Sequence, residues 1–356
     1  MKRLIIVLFP LLFLLSACST ATEIDKLMIV SGMSIDKNDD DYNVITQVVN
    51  MKNSDQNELS PILLNTNGKT IVDALSKLPG LEGQRLYFTH SQVILLSSDY
   101  VKSEGVEHLI NLINNEPRFR SSVNIAVAEE KASDVIATEP KTDPISCFSI
   151  TDSIRESSKM LRTPDMPYYQ FLNETLESGI DGILPLVSTK TEDDETELPQ
   201  IGGTALFKGF NMVGGLSPEQ TKYLLIARNS HPSGIYSTDE HSFLIDSGKT
   251  KIKVYNGKLT IEVKMELSLL EGELKSNDEL SNIINDDCRN GIENIISLFK
   301  QLGCDPIGIG RYIKRYHTSL WKKTDPDKWE DYYSNLDIVV KVFTSIVPSS
   351  KLTGDK

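Results

Sequence analysis

The run Val123-Asn124-Ile125-Ala126-Val127-Ala128-Glu129-Glu130-Lys131-Ala132-Ser133-Asp134-Val135-Ile136-Ala137 decides the fold class. Residues 123–128 are apolar and rich in valine, isoleucine and alanine, which predicts a strand. After the charged triplet, residues 132–137 read as a short helix. Upstream, Leu86 to Leu96 reads as a strand, and Leu109, Ile110, Leu112 and Ile113 belong to a helix before Glu116-Pro117. Strand, helix, strand, helix indicates an α/β layer. Two valine- and isoleucine-rich strands, from Leu27 to about Ile35 and from Tyr42 to Met51, open the chain and look antiparallel. The expected class is therefore α+β, mixed sheets with packed helices in two or three α/β-containing domains.

Between the opening strands lies Asp36-Lys37-Asn38-Asp39-Asp40-Asp41. Asp36, Asn38 and Asp40 match the first, third and fifth ligand positions of a calcium loop. Asp41 stands where a glycine is needed, and Gln47 where a bidentate glutamate is needed, so a hairpin turn is expected. Ile71, Ala74, Leu75 and Leu78 share one helical face, with Pro79-Gly80 expected to stop that helix. Prolines 140, 144, 164 and 167 break the next stretch, around a helix from Asp152 to Leu161. A further helix runs from Tyr168 to Ser178. Glu192-Asp193-Asp194-Glu195-Thr196-Glu197 reads as a solvated loop, and a domain boundary is placed near it.

After that loop, residues 201–207 and 209–213 read as a short hairpin. Ser217-Pro218 is a helix start, a capping serine followed by proline at the first helical position. Residues 251–255 and 259–270 are strands around Asn256-Gly257, a strong hairpin signal. Asp278 to Leu302 is the longest amphipathic helix, with Ile284, Cys288, Ile292, Ile295, Ile296 and Phe299 on one side. A second helix is expected over 309–321 and a closing strand over 336–347. The organisation is residues 1–17 as a signal peptide, 18–26 as a tether, and 27–198 as a mixed α/β region. That region is either one unit or two subdomains divided near 138–168. Residues 199–350 form a C-terminal α+β domain, and 351–356 a tail.

The N-terminus carries the clearest chemistry. Lys2 and Arg3 precede twelve apolar residues, Leu4 to Leu15. A spanning helix needs roughly 20, so this is an export signal. Leu15-Ser16-Ala17-Cys18 is similar to a bacterial lipoprotein signal, cleaved between Ala17 and Cys18, with the Cys18 thiol taking diacylglycerol through a thioether and its amine an acyl chain. Anchoring by more than one chain is stable, whereas one chain binds marginally. The 356-residue chain is 39% apolar and 24% charged, enough for a folded core, and carries a net charge of −13. Without a long basic run, non-specific nucleic-acid binding is excluded. Cys147, Cys288 and Cys304 remain. The last two are about 24 Å apart along one helix, too far for a bridge needing about 7 Å. Cys147 is free to pair with either, and the expectation is three reduced, mostly buried thiols.

No catalytic or metal constellation emerges. The five histidines (90, 108, 231, 241, 317) contain no pair at i, i+4, and no Cys-x-x-Cys exists. Gly68-Lys69-Thr70 lacks the first glycine of a phosphate loop, Leu63 standing in its place. Ser319-Leu320-Trp321-Lys322 lacks its companion motifs, and Gly32-Met33-Ser34-Ile35-Asp36 fails the nucleophile elbow at its last position. His90 is weighed as a ligand or proton switch against a backbone-satisfied histidine, which is favoured. Arg85 is weighed as a fork to a carboxylate against an ordinary ion pair, also favoured. Arg311, Lys314 and Arg315 share a helical face. Such a face suits an anionic membrane or a partner's acidic loop, but a solvated helix is the simpler reading.

Gln84-Arg85-Leu86-Tyr87-Phe88-Thr89-His90-Ser91-Gln92-Val93-Ile94 resembles the N-terminal signature of the Ger(x)C lipoproteins, the C subunits of spore germinant receptors. Residues 126–128 with 132–136, Ala205-Leu206-Phe207-Lys208 with Met212-Val213-Gly214-Gly215-Leu216, Cys304-Asp305-Pro306-Ile307-Gly308, and Trp321 and Trp329 are similar too. The proline after Asp305 departs from the family's usual apolar or β-branched residue. The resemblance spans Cys18 to about Val347. It implies a lipid-anchored subunit on the outer face of the spore inner membrane, with no cofactor and no enzymatic activity. Its partners would be the integral membrane A and B subunits of a receptor for small nutrients. It leaves open which nutrient is sensed and whether this subunit touches it. Two alternatives stand beside it. A solute-binding lipoprotein of an importer would show two comparable lobes around one pocket. A membrane-anchored hydrolase needs a paired nucleophile and base that the sequence does not display.

Overall fold

The computed structural model describes residues 27–50, 60–141, 143–191, 197–230, 233–255, 258–273, 275–324 and 329–347. Cys18, the cleavage position after Ala17, and the Asn256-Gly257 turn lie outside them. The chain is α+β, with one nine-stranded and one four-stranded sheet.

The strand β1 (Leu27–Asn38) lies inside the large sheet and holds it together. One edge pairs antiparallel with β2 (Asp41–Asn50), which pairs with β3 (Ser60–Gly68). The other edge takes two short strands in succession, both parallel. These are β4 (Arg85–Tyr87) beside Leu27–Ile29 and β5 (Val93–Ser97) beside Gly32–Ile35. β6 (Asn124–Ala128) and β7 (Ile183–Thr191) continue in parallel. β8 (Glu197–Lys208) and β9 (Asn211–Leu216) close the order antiparallel. All five residues of β5 are buried, as expected of a parallel strand covered on both faces. One face carries α1 (Ile71–Glu82), α2 (Ser98–Ser103) and α3 (Glu107–Asn115). The other packs α4 (Ala132–Ile136) and α5 (Ser146–Lys159) over Val93, Leu95, Ala126 and Ala128.

The second sheet runs β10 (Gly234–Ser237), β11 (Ser242–Tyr255), β12 (Lys258–Glu271) and β13 (Ile338–Val347). β13 lies parallel to β12. Against the sheet packs α8 (Asn277–Leu302), opened by the Ser276–Glu279 capping box and ended by Gly303 in the left-handed region. The expected stripe Ile284, Cys288, Ile292, Ile295, Ile296 and Phe299 is buried. α7 (Pro218–Ala227) begins with the expected Ser217 cap, completed as a box by Gln220. Cys147, Cys288 and Cys304 are free and buried, as expected. Among the described residues no helix is long and apolar enough to cross a membrane.

Several local expectations are corrected. Pro79-Gly80 do not stop α1, which runs to Glu82. The stop is Gly83 at φ 67°, whose N–H bonds Pro79 O at 2.8 Å. Proline there forfeits one backbone bond in the last turns, while Leu75 and Leu78 stay buried. Residues 86–96 are not one strand. A 3₁₀ turn at Phe88–His90 interrupts them and stacks the buried Phe88 on Phe119, with centroids 4.4 Å apart. β3 escaped the sequence reading. It is an edge strand, where Pro61 is tolerated, and its buried residues are Leu64, Thr66 and Gly68. The helix expected from Asp152 begins at Ser146. The helix expected over 309–321 breaks at His317 into α9 (Ile309–Tyr316) and α10 (Thr318–Thr324).

The Asp36–Asp41 run is a hairpin turn, as expected. Asp36 is buried and its two oxygens accept the Ala132 and Ser133 N–H groups at 2.7 and 2.9 Å. That bond ties β1 to the start of α4. Gln47 is buried as well and bridges Ser31 to Ser146. Asp36→Ala is expected to lower stability by about 1–3 kcal/mol, the scale of a charge-assisted bond removed from buried donors. The loss would be read as a lower urea midpoint with an unchanged slope.

Candidate functional site

A buried polar cluster seats the link Cys304–Gly308, between α8 and α9, against the first sheet. Asp305 is 1% exposed. Its carboxylate accepts the N–H groups of Gly308, Ile309 and Gly310 at 2.9, 3.1 and 2.8 Å. These amides open α9, so the side chain caps that helix where the dipole favours a negative charge. Gly308 stands at φ 82°, a conformation that favours glycine.

The same loop is seated on the first sheet. The Asp305 N–H donates to Asp181 Oδ2 at 2.7 Å, and the Asp181 N–H returns to Asp305 O at 3.1 Å. Asp181 Oδ1 also accepts the Gly209 N–H at 3.3 Å. The Arg311 N–H donates to Gly179 O at 2.5 Å. There the two backbones touch: a Cβ on Gly179 would fall 2.5 Å from the Gly310 carbonyl carbon.

An ionic layer flanks this contact. α6 (Tyr168–Leu176) carries Glu174, and Glu177 follows it. Arg228, at the end of α7, is buried with Glu174 and donates to Oε1 at 2.6 Å. Its other branch donates to Pro306 O. Arg311 approaches Glu177 at 3.7 Å, and Arg315 donates to Glu177 at 2.8 Å. Behind Gly310, Trp321 and Trp329 pack with centroids 5.3 Å apart, and Trp329 lies 5.7 Å from buried Tyr333 on α11 (Trp329–Ser334). Lys208 pairs with Glu330 at the rim.

Burial perturbs both carboxyl groups. Burial pushes Asp305 up to about 7, helped by the Asp181 charge and opposed by the three amides. Burial likewise raises Asp181, against the Asp305 and Gly209 N–H groups and Lys208. Burial lifts the thiols of Cys147 and Cys288 to about 12, and raises that of Cys304, next to Asp305.

Of the residues singled out from sequence, Asp305, Arg311, Arg315, Trp321 and Trp329 fall in the joint, and Arg85 and His90 lie elsewhere. Arg85 is exposed at the start of β4. The fork considered for it belongs to Arg118, which donates to both oxygens of Glu116 at 2.6 and 2.5 Å and to Leu86 O at 2.9 Å. His90 is not in the core. It is exposed at the end of the 3₁₀ turn, its ring 5.8 Å from Tyr87. The basic face of α9 is not simply solvated, since Arg311 and Arg315 face the glutamates of α6. Thr70 caps α1 by accepting the Asp73 N–H at 3.0 Å. Among the described residues no three His, Cys, Asp or Glu side chains converge as metal ligands. Sequence reasoning missed Glu174, Asp181 and Arg228. It quoted Asp305 without a role, although an aspartate just ahead of Gly308 and a helix is a capping signal.

Fold and joint together define a two-part α+β protein whose halves share one hydrophobic core. A family described as the spore germination protein N-terminal domain matches residues 20–189. A second, described as spore germination B3/GerAC like, C-terminal, matches residues 202–349. The chain belongs to the Ger(x)C family of spore germination receptor subunits. It is similar to spore germination protein B3 of Bacillus subtilis (strain 168), 23% identical over 380 residues, covering 96% of each chain. Spore germination protein KC of the same organism is 24% identical over 402 residues, covering 97% of this chain and 95% of the other. The crystal structure of the GerBC protein aligns with a TM-score of 0.54 at 18% identity, covering 89% of this chain and 97% of that one. The first segment ends within β7 and the second begins within β8, so most of β8 and all of β9 complete the first sheet from the second segment.

Two outcomes are expected of the joint. Arg228→Met leaves Glu174 only the more distant Arg311, at 4.0 Å, and is expected to cost about 3–5 kcal/mol, most of it recovered in Arg228→Met/Glu174→Gln. A double-mutant cycle in urea reads the coupling. The folded-state value of Asp305 lies above the unfolded value of about 3.9. Its contribution to stability is therefore complete below about pH 3.9 and is lost as pH rises through about 7. Calorimetric melts across that window are expected to show the decline, and Asp305→Asn to flatten it.

Proposed function

We propose that the chain is the lipid-anchored, non-enzymatic C subunit of a nutrient germinant receptor. Cys18 fastens it to the outer face of the spore inner membrane. It acts there by assembling and signalling with the integral membrane A and B subunits. The observation that carries this reading is the joint itself. The buried groups Asp305, Arg228 and Glu174, together with Asp181, are engaged by backbone amides and by one another. They work as a brace between two family segments, and a braced single body suits a subunit that presents surfaces to partners. Family membership supports the germination role.

The solute-binding alternative draws less support. Sheets of nine and four strands are not comparable lobes, and one hydrophobic cluster runs through both. An anchored hydrolase would need a paired nucleophile and base, which the sequence does not display.

Palmitate labelling and solubilisation of spore membranes provide the test. The wild-type protein is expected to carry label and to bring both integral subunits with it. Cys18→Ala is expected to lose the label and most of that recovery. Full recovery without label would remove the anchor from the proposal, and recovery of neither subunit with the labelled protein would remove the receptor role.

A further inference from the structure

Among the described residues, one of the edges the second sheet leaves open belongs to β11. β10 pairs with β11 only over Ser242–Ile245, so the later half of β11 has β12 on one side and no strand on the other among the described residues. Antiparallel ladders alternate bonded and non-bonded pairs, so every second residue of an edge strand directs its N–H and C=O outward. Thr250 shows the phase: its N–H leaves the ladder and donates to Asn229 Oδ1 at 2.7 Å. Ile252 and Val254 share that phase.

Between this edge and α9 runs a groove of about 520 Å³, lined by Thr250 to Lys253 on one side and by Arg311, Tyr312, Arg315 and Tyr316 on the other. Lys249, Lys251 and Lys253 alternate along β11 and share one exposed face. Lys264 stands opposite Lys249, and Lys341 extends the patch on β13. The acids nearby are already engaged: Glu262 by Lys253 at 2.7 Å, Glu177 by Arg315 at 2.8 Å, and Glu174 by Arg228. Lys251 has no carboxylate within ion-pair distance among the described residues; Glu262, opposite it on β12, is held by Lys253. In a chain of net charge −13, this is a concentration of cations. Tyr316, 70% exposed, adds an apolar wall.

We infer that this groove receives an extended acidic segment of a partner polypeptide, which adds as a strand to β11. Main-chain pairing supplies the affinity, and alternate side chains the selection. A strand laid there places every second residue beside Lys251 and Lys253, which selects carboxylates. The intervening residues face half-buried Ile252 and Val254, which selects apolar side chains. The same lysines disfavour a second copy of β11, since self-pairing would set lysine against lysine. The concave, hydrogen-bonding character of the site favours a polypeptide over a flat lipid surface. The inference deepens the reading of the chain as a receptor subunit by assigning it a contact surface.

The test uses the purified full chain and a fluorescent eight-residue peptide alternating glutamate and valine, read by anisotropy. Saturable binding is expected, weakened about tenfold or more by Lys251→Glu/Lys253→Glu. A peptide N-methylated at alternate amides keeps its charge but cannot pair, and is expected to lose binding to a similar extent. No saturable binding, or equal binding of the N-methylated peptide, overturns the inference. So does lysine-dependent binding to phosphatidylglycerol vesicles with none to the peptide. Because the readout needs no membrane partner, its failure is separable from failure of the co-purification experiment.

Discussion

A carboxylate removed from water has to be given donors, and the way Asp305 is satisfied governs how this chain is assembled. The three successive amides it uses belong to the first turn of a helix, which fixes the start of α9 at Gly308–Gly310. That start requires a glycine in the left-handed region and a second glycine, Gly310, flat against Gly179. Once the turn is made, the Asp305 main chain is presented to Asp181, and the loop becomes a seat for the first sheet. Misplacing α9 would leave a buried charge unsolvated, a far larger penalty than the loss of a surface contact.

Around that seat the two sequence segments are interleaved rather than set side by side. Most of β8 and all of β9 come from the second segment yet finish the first sheet, while α7 carries Arg228 back to Glu174. The apolar contacts follow the same course: one cluster runs from Met28 on β1 to Val342 on β13. Relative motion of the halves would tear this cluster and strand Arg228 and Glu174 together. The proposed contact groove lies at the edge of the same brace, since Arg311 and Arg315 line it while facing α6.

Much of this was legible in the sequence where the cause is local. The α8 stripe, the Ser217-Pro218 start and the strand at 124–128 follow from periodicity and capping, and the structure holds each of them. β3 was not legible, because Pro61 argues against a strand until its position at an edge is known. Pro79 misled for the same kind of reason, tertiary burial of Leu75 and Leu78 outweighing one lost backbone bond. The joint was the least legible feature. Glu174, Asp181, Arg228 and Asp305 come from four separate segments, and nothing in the spacing of any one of them announces the others. Arg85 and His90 drew notice through the stretch they sit in, whereas Arg118, outside it, holds the carboxylate.

The parallel placement of β13 bears on how the molecule comes to be folded. Its partners on β12 lie far back in the chain, Ile338 beside Leu259 and Val347 beside Ser268, with α8 to α11 intervening. Such a contact closes a long loop before any of its pairing is rewarded, which makes it a late event. Until residues 338–347 arrive, β12 is itself an open apolar edge, and the cover they give α8 is missing. The interval between emergence of β12 and docking of β13 is therefore when the chain is most exposed to mispairing, and folding of the second sheet has to wait for nearly all of the polypeptide.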